Sequence, residues 1–127
     1  MNMDIRRTAL ALLALPMLGA CATVPGNADS VRLGQTATVG PLRVTPIRVL
    51  EDSRCPMEAR CIWAGRLRLE VRVSHAGHRG IHELATDKPL AIAGDHLELA
   101  GVMPPSSTQR KIGPRDYRFT LRFGPAY

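Results

Sequence analysis

Few residues of this 127-residue chain are of types that do chemistry, and their spacing narrows what that chemistry is. Cys55 and Cys61 close a seven-residue loop with no histidine and no further cysteine between them. In an oxidising compartment such a pair reads as a disulfide. The chain-entropy model credits a loop of this size with about 2.4 kcal/mol. A metal centre would need more ligands close by, so no metal is assigned. Asp52, Ser53, Arg54 and Pro56 stand around the first cysteine, Trp63 and Gly65 after the second. Asp52 can accept hydrogen bonds from amides of the turn that it begins. Arg54 can pair with Asp52, Glu51 or Glu58, and Pro56 stiffens the loop. Two uses follow. The loop is a folding staple, or it holds Arg54, Met57, Glu58 and Arg60 out to a partner at little entropic cost.

The other reactive residues form no set. His75, His78 and His82 have a spacing that would align them on a helix, but Gly77 and Gly80 argue for a hairpin turn instead. Ser53, Ser106 and Ser107 belong to no nucleophile motif. Phosphate-loop and dinucleotide signatures are absent, and no carboxylate pair has a spacing that implies acid–base work. No catalytic residue and no cofactor is therefore expected.

These residues must be placed by strands. After residue 30 glycine and proline recur at short intervals, and the segments between them alternate apolar with polar. Alternation with period two puts one face inside and the other in water. Residues 61–74 alternate most clearly, with Cys61, Trp63, Gly65, Leu67, Leu69, Val71 and Val73 on one face and Arg66, Arg68, Glu70 and Arg72 on the other. Residues 116–123 repeat this, Tyr117, Phe119, Leu121 and Phe123 facing in and Arg118 and Arg122 facing out. Residues 42–50 alternate with a slip at Pro46, which suits a bulge or an edge. Weaker strands are expected at 36–39, 81–85 and 96–100, with 66–74 and 81–86 forming a hairpin. The fold class is all-β: a small antiparallel sandwich or barrel of about six to eight strands.

The N-terminus has a different task. Arg6 and Arg7 precede an apolar run over 8–18, too short to span a bilayer and of the length of an export signal. The run closes on Leu18-Gly19-Ala20-Cys21, which resembles the lipobox of bacterial lipoproteins. That resemblance implies cleavage after residue 20 and acylation of the Cys21 thiol, with palmitate among the chains. Multiple acyl chains make a stable membrane anchor. Ala22 after the cysteine, where Asp would favour the inner membrane, implies sorting to the outer membrane. The expected organisation is a signal peptide over 1–20, a lipidated flexible tether over 21–30 and a β domain over 31–127.

The motif Asp52-Ser53-Arg54-Cys55-Pro56 followed by Cys61-Ile62-Trp63-Ala64-Gly65 resembles one found in an uncharacterised family of small exported bacterial proteins, many of them lipid-anchored. The resemblance runs in outline from Val31 to Phe123 and implies a fold without a mechanism. The expected function is that of a lipid-anchored envelope protein, a non-catalytic binding or structural module. The alternative is an enzyme, or an inhibitor of one, acting from a surface loop. The chain carries a net charge of +6, supplied almost wholly by arginine. An anionic envelope component is therefore a candidate partner, through Arg66, Arg68, Arg72, Arg118 and Arg122 if their strands are neighbours. Nucleic acid is not expected as a partner of an exported chain. The anchor assignment predicts that mass spectrometry of the membrane fraction finds Cys21 acylated. Cys21→Ser should yield an unprocessed or soluble product, and an unmodified Cys21 in membranes would overturn the assignment.

Overall fold

The computed structural model describes residues 25–125. The expected signal peptide over 1–20 and the lipidation site Cys21 lie outside these residues. Eight strands follow one another: β1 (Gly26–Val31), β2 (Ala37–Val39), β3 (Leu42–Asp52), β4 (Leu67–His75), β5 (His78–Ala85), β6 (Leu90–Ile92), β7 (Asp95–Met103) and β8 (Arg118–Gly124). They form two antiparallel sheets of four strands, ordered β1-β8-β7-β6 and β2-β3-β4-β5. The architecture is a β-sandwich, which settles the choice against a barrel.

The inner faces are the alternating apolar positions. Leu67, Leu69, Val71 and Val73 of β4 meet Phe119, Leu121 and Phe123 of β8 and Leu97 and Leu99 of β7 in one core, each at most 2% exposed. Leu42 and Val44 of β3 and Leu84 of β5 complete it. Among the described residues every buried hydrophobic one lies between Val31 and Phe123, so a chain starting at Ala22 retains this core.

Pro46 is buried in the interior of β3, opposite Val71 of β4. Its carbonyl accepts the Gly34 N–H at 2.7 Å, on the side where β2 has already ended. In an antiparallel strand the N and O of one residue face the same way. The N–H that proline lacks therefore costs no bond to β4. The register shifts between Pro46 and Arg48, as the phase slip requires, and again between Val49 and Glu51. The hairpin of β4 with β5 forms as expected, but its turn is tighter, at Ala76 and Gly77, and Gly80 lies within β5 opposite Val73.

Five expectations change. Residues 26–30, expected in the tether, belong to β1, which pairs with β8 from Gly26 opposite Phe123. The strand expected over 61–74 begins only at Leu67, and Cys61, Trp63 and Gly65 are exposed. Trp63, expected on the inward face with Cys61, is 82% exposed. Gly65 takes φ +66°, and this left-handed residue breaks the alternation, so the phase of β4 does not run back to Trp63. Finally, β4 and β8 belong to different sheets, so Arg66, Arg68 and Arg72 look out of one face of the sandwich and Arg118 and Arg122 out of the other. Arg68 and Arg118 are half-buried rather than exposed.

Truncating Phe119, fully buried at the centre of β8, should destabilise the domain by about 3–5 kcal/mol in urea unfolding. Its neighbour Arg122 meets Glu98 at 3.7 Å with about half its side chain in solvent. Arg122→Ala should cost about 1 kcal/mol or less. Equal effects would contradict the inward and outward assignment of β8.

Candidate functional site

The second irregularity of β3 aims a carboxylate. With Leu50 as the extra residue, Glu51 stands opposite Arg68, and Asp52 opposite Leu67, which faces the core. A bulge re-aims side chains in this way. Arg54 grips Asp52 with both ends of its fork, Nε to Oδ1 at 2.8 Å and Nη2 to Oδ2 at 2.9 Å. The Tyr117 hydroxyl donates to Oδ2 at 2.9 Å. Arg54 Nη1 donates to the carbonyls of Pro104 at 3.0 Å and Val102 at 3.3 Å. The two charged side chains are only 15% and 16% exposed. Tyr117 is buried and stacks on Phe119 with ring centres 5.7 Å apart. Of the partners open to Arg54 in sequence, Asp52 is the one it takes.

The disulfide loop, residues 53–66, is built on this base. The Ser53 N–H donates to the Arg66 carbonyl at 2.8 Å, and the Cys55 N–H to the Ala64 carbonyl at 3.1 Å. Cys55 and Cys61 are bridged, their Cα atoms 5.9 Å apart, within the usual range for a disulfide. At Gly65 a Cβ would collide with the Ser53 carbonyl, so only glycine allows the two arms to lie so close. The loop is also tied sideways to residues 104–108. The Met57 N–H donates to the Ser106 carbonyl at 2.9 Å. The Glu58 carboxylate accepts from the Ser107 hydroxyl and from the Thr108 N–H at 3.0 Å. These bonds, the hydroxyl first, hold Glu58 below the ordinary carboxylate range.

What the loop presents differs from expectation. Arg54 turns into the structure as a fastener, and Glu58, though exposed, is tied down by Ser107 and Thr108, while Met57 and Arg60 are exposed with no side-chain bond of this kind. Its most prominent side chains are Ile62, 92% exposed, and Trp63. Met57, Ile62 and Trp63 make up half of the exposed large hydrophobic residues among those described. Pro56 is half-buried, and the Ala59 N–H closes a turn on its carbonyl.

Other reactive groups are dispersed. His75 and His78 face each other across the β4–β5 turn, and His82 lies opposite Val71. Among the described residues no group of three or more His, Cys, Asp or Glu could hold a metal. A depression of about 370 Å³ is lined by His96, Glu98 and Arg122, and Glu98 and Arg122 pair with each other.

The half-buried Asp52 carboxylate has a pH signature. The Arg54 hydrogen bonds, chiefly, hold Asp52 below its ordinary pKa, with Tyr117 assisting against the cost of burial. A lowered folded pKa gives stability that is complete above the unfolded value near 4 and is lost as pH falls through the folded one. Burial, then the Asp52 bond, pushes Tyr117 up to about 12. Its contribution is complete below the unfolded value of about 10 and fades as pH rises toward the folded one. Asp52→Asn should lose about 1.5–3 kcal/mol at neutral pH, and its deficit should shrink in acid. Tyr117→Phe should remove part of the alkaline loss. Urea unfolding across pH checks both, and a deficit for Asp52→Asn that does not change with pH would contradict the ionised pairing. No family model, no curated protein and no solved structure matches this chain.

Proposed function

We propose that this is a lipid-anchored envelope protein, held at the periplasmic face of the outer membrane, whose sandwich is a non-catalytic binding module for a protein partner. The binding element is the disulfide loop. The observation that carries the reading is an indole and an aliphatic side chain, 82% and 92% exposed, on a backbone fixed by a disulfide, a half-buried ion pair and side bonds. A free loop would lose entropy on docking, and this one has already lost it in folding. Tryptophan in particular supplies binding hot spots, and exposed apolar groups held rigidly are the form these take.

Topology supports a partner away from the membrane. The chain enters the sandwich at Gly26, which abuts Gly40 at the β2–β3 turn. From that turn β3 runs to Asp52 at the opposite end, where the loop begins. Eleven residues at about 3.3 Å each separate the ends by roughly 30 Å. An anchor at Cys21 holds the first end near lipid and leaves Trp63 pointing away. The motif's resemblance to a family of exported proteins, many of them lipid-anchored, supports the anchor.

A photo-crosslinking amino acid at position 63 should capture a discrete protein adduct in intact cells, and one at Arg122 on the other face should not. Ile62→Ser with Trp63→Ser should leave stability within about 0.5 kcal/mol, since both side chains are exposed. The same pair should weaken the complex by about 2 kcal/mol or more, roughly thirtyfold. No adduct at 63, or an unaffected complex, would overturn the proposal.

A further inference from the structure

The outer face of sheet β2-β3-β4-β5 is divided by charge. Toward the loop end its arginines are neutralised. Arg48 meets Glu70 at 3.0 Å, Arg68 meets Glu83 at 2.6 Å, and Arg66 meets Glu51 at 3.1 Å. Toward the chain-entry end they are not. Arg43, Arg72 and Arg79 have no carboxylate within ion-pair distance among the described residues. The one acid on Arg72's own strand face, Glu70, is taken by Arg48.

Register brings the three together. Arg43 of β3, Ser74 of β4 and Arg79 of β5 form one cross-strand row. Arg72 lies one same-face step along β4, in a row with Thr45. Adjacent strands are about 4.8 Å apart, and diagonal neighbours about 7–8 Å, so three long guanidinium arms rise from a triangle they can close over one small anion. They line a depression of about 260 Å³ with the hydroxyls of Thr36, Thr45 and Ser74. Thr36 and Thr45 Oγ1 are hydrogen-bonded to each other at 2.7 Å. Five-donor guanidinium forks and hydroxyls, with no acid among them, are the complement of a phosphate group.

We infer that Arg43, Arg72 and Arg79, with Thr45 and Ser74, bind the phosphate of an anionic phospholipid headgroup in the membrane that holds the chain. The choice of lipid as the phosphate's source rests on the anchoring proposed above. Cys21 is five residues before Gly26, a reach of at most about 18 Å. Gly26 enters at the same end of the sandwich as this depression, beside the β2–β3 turn. An anchored domain therefore carries the cluster within headgroup range, whereas the disulfide loop stands at the far end. Headgroup binding would fix the tilt of the domain on its short tether, which the acyl chains alone do not.

The test uses the unlipidated chain 22–127, which keeps the whole core, so that it does not depend on whether Cys21 is acylated. Co-sedimentation with vesicles of phosphatidylglycerol in phosphatidylcholine should show binding absent with phosphatidylcholine alone. Binding should weaken as salt rises from about 0.01 to about 0.15 M, where the screening length falls from about 30 to about 8 Å. Changing Arg43, Arg72 and Arg79 to Ser should weaken it about tenfold or more, through loss of three charge-assisted contacts. Changing Arg48, Arg68 and Arg122 to Ser removes the same charge from paired positions and should weaken it far less. Inorganic phosphate should compete better than chloride at matched ionic strength. Equal loss in the two triple variants would reduce the effect to net charge and overturn the inference. So would equal binding to neutral vesicles, or binding of inorganic phosphate without binding of vesicles.

Discussion

The Asp52 carboxylate is the joint on which the upper half of the molecule depends. Three donors from two side chains converge on it, and through Arg54 it also reaches two carbonyls at the end of β7. One ionised group thereby couples the end of β3, the root of the disulfide loop, the strap after β7 and the approach to β8. A pair partly withdrawn from water is most stabilising when its hydrogen-bonding capacity is well satisfied, and here it is. Remove the carboxylate, and Arg54 keeps its carbonyls but loses its counter-charge, while the buried Tyr117 hydroxyl loses its acceptor. The disulfide closes the loop on itself, but the ion pair orients it on the sandwich.

The same device explains why the loop can expose so much apolar surface without collapsing. Ile62 and Trp63 would gain by folding onto the domain if the backbone let them. The two arms are locked by the Ser53–Arg66 and Cys55–Ala64 bonds and by a glycine approach that no other residue tolerates. Met57 and Glu58 fasten the loop to residues 106–108. Geometry thus holds out what hydrophobicity would bury.

Much of this was legible in the residues. Period-two alternation located β4 and β8 and their inward faces, because both sheets have one dry and one wet side. The slip at Pro46 marked a real bulge, and two cysteines in a short loop marked a real bridge. Trp63 was misread for a definite reason. Alternation is a property of extended backbone, and Gly65 leaves that region with φ +66°, so parity counted across it means nothing. The assignment of 26–30 to a tether failed because Gly26, Asn27 and Asp29 carry no apolar pattern, and an edge strand needs little of one once β8 supplies its hydrogen bonds. The arginine grouping failed at a longer range. Sequence shows which way a side chain faces from its own strand but not which strands share a sheet. Arg43 and Arg79 drew no notice, since only the cross-strand register sets them beside Ser74.

The pairing of β1 with β8 joins the first strand of the sandwich to the last, Gly26 opposite Phe123. Sheet β1-β8-β7-β6 therefore cannot close until β8 has emerged, whereas β2 to β5 can assemble from neighbouring segments as they appear. Contacts so distant along the chain are slow to form, because the intervening loop must be closed before they contribute. The order of synthesis and the order of assembly are thus opposed at one edge: the earliest strand waits for the latest. Until then β1 is an unpaired edge and the apolar side of β3 and β4 has no complete facing layer, so the nascent chain is at its most adhesive just before β8 is added.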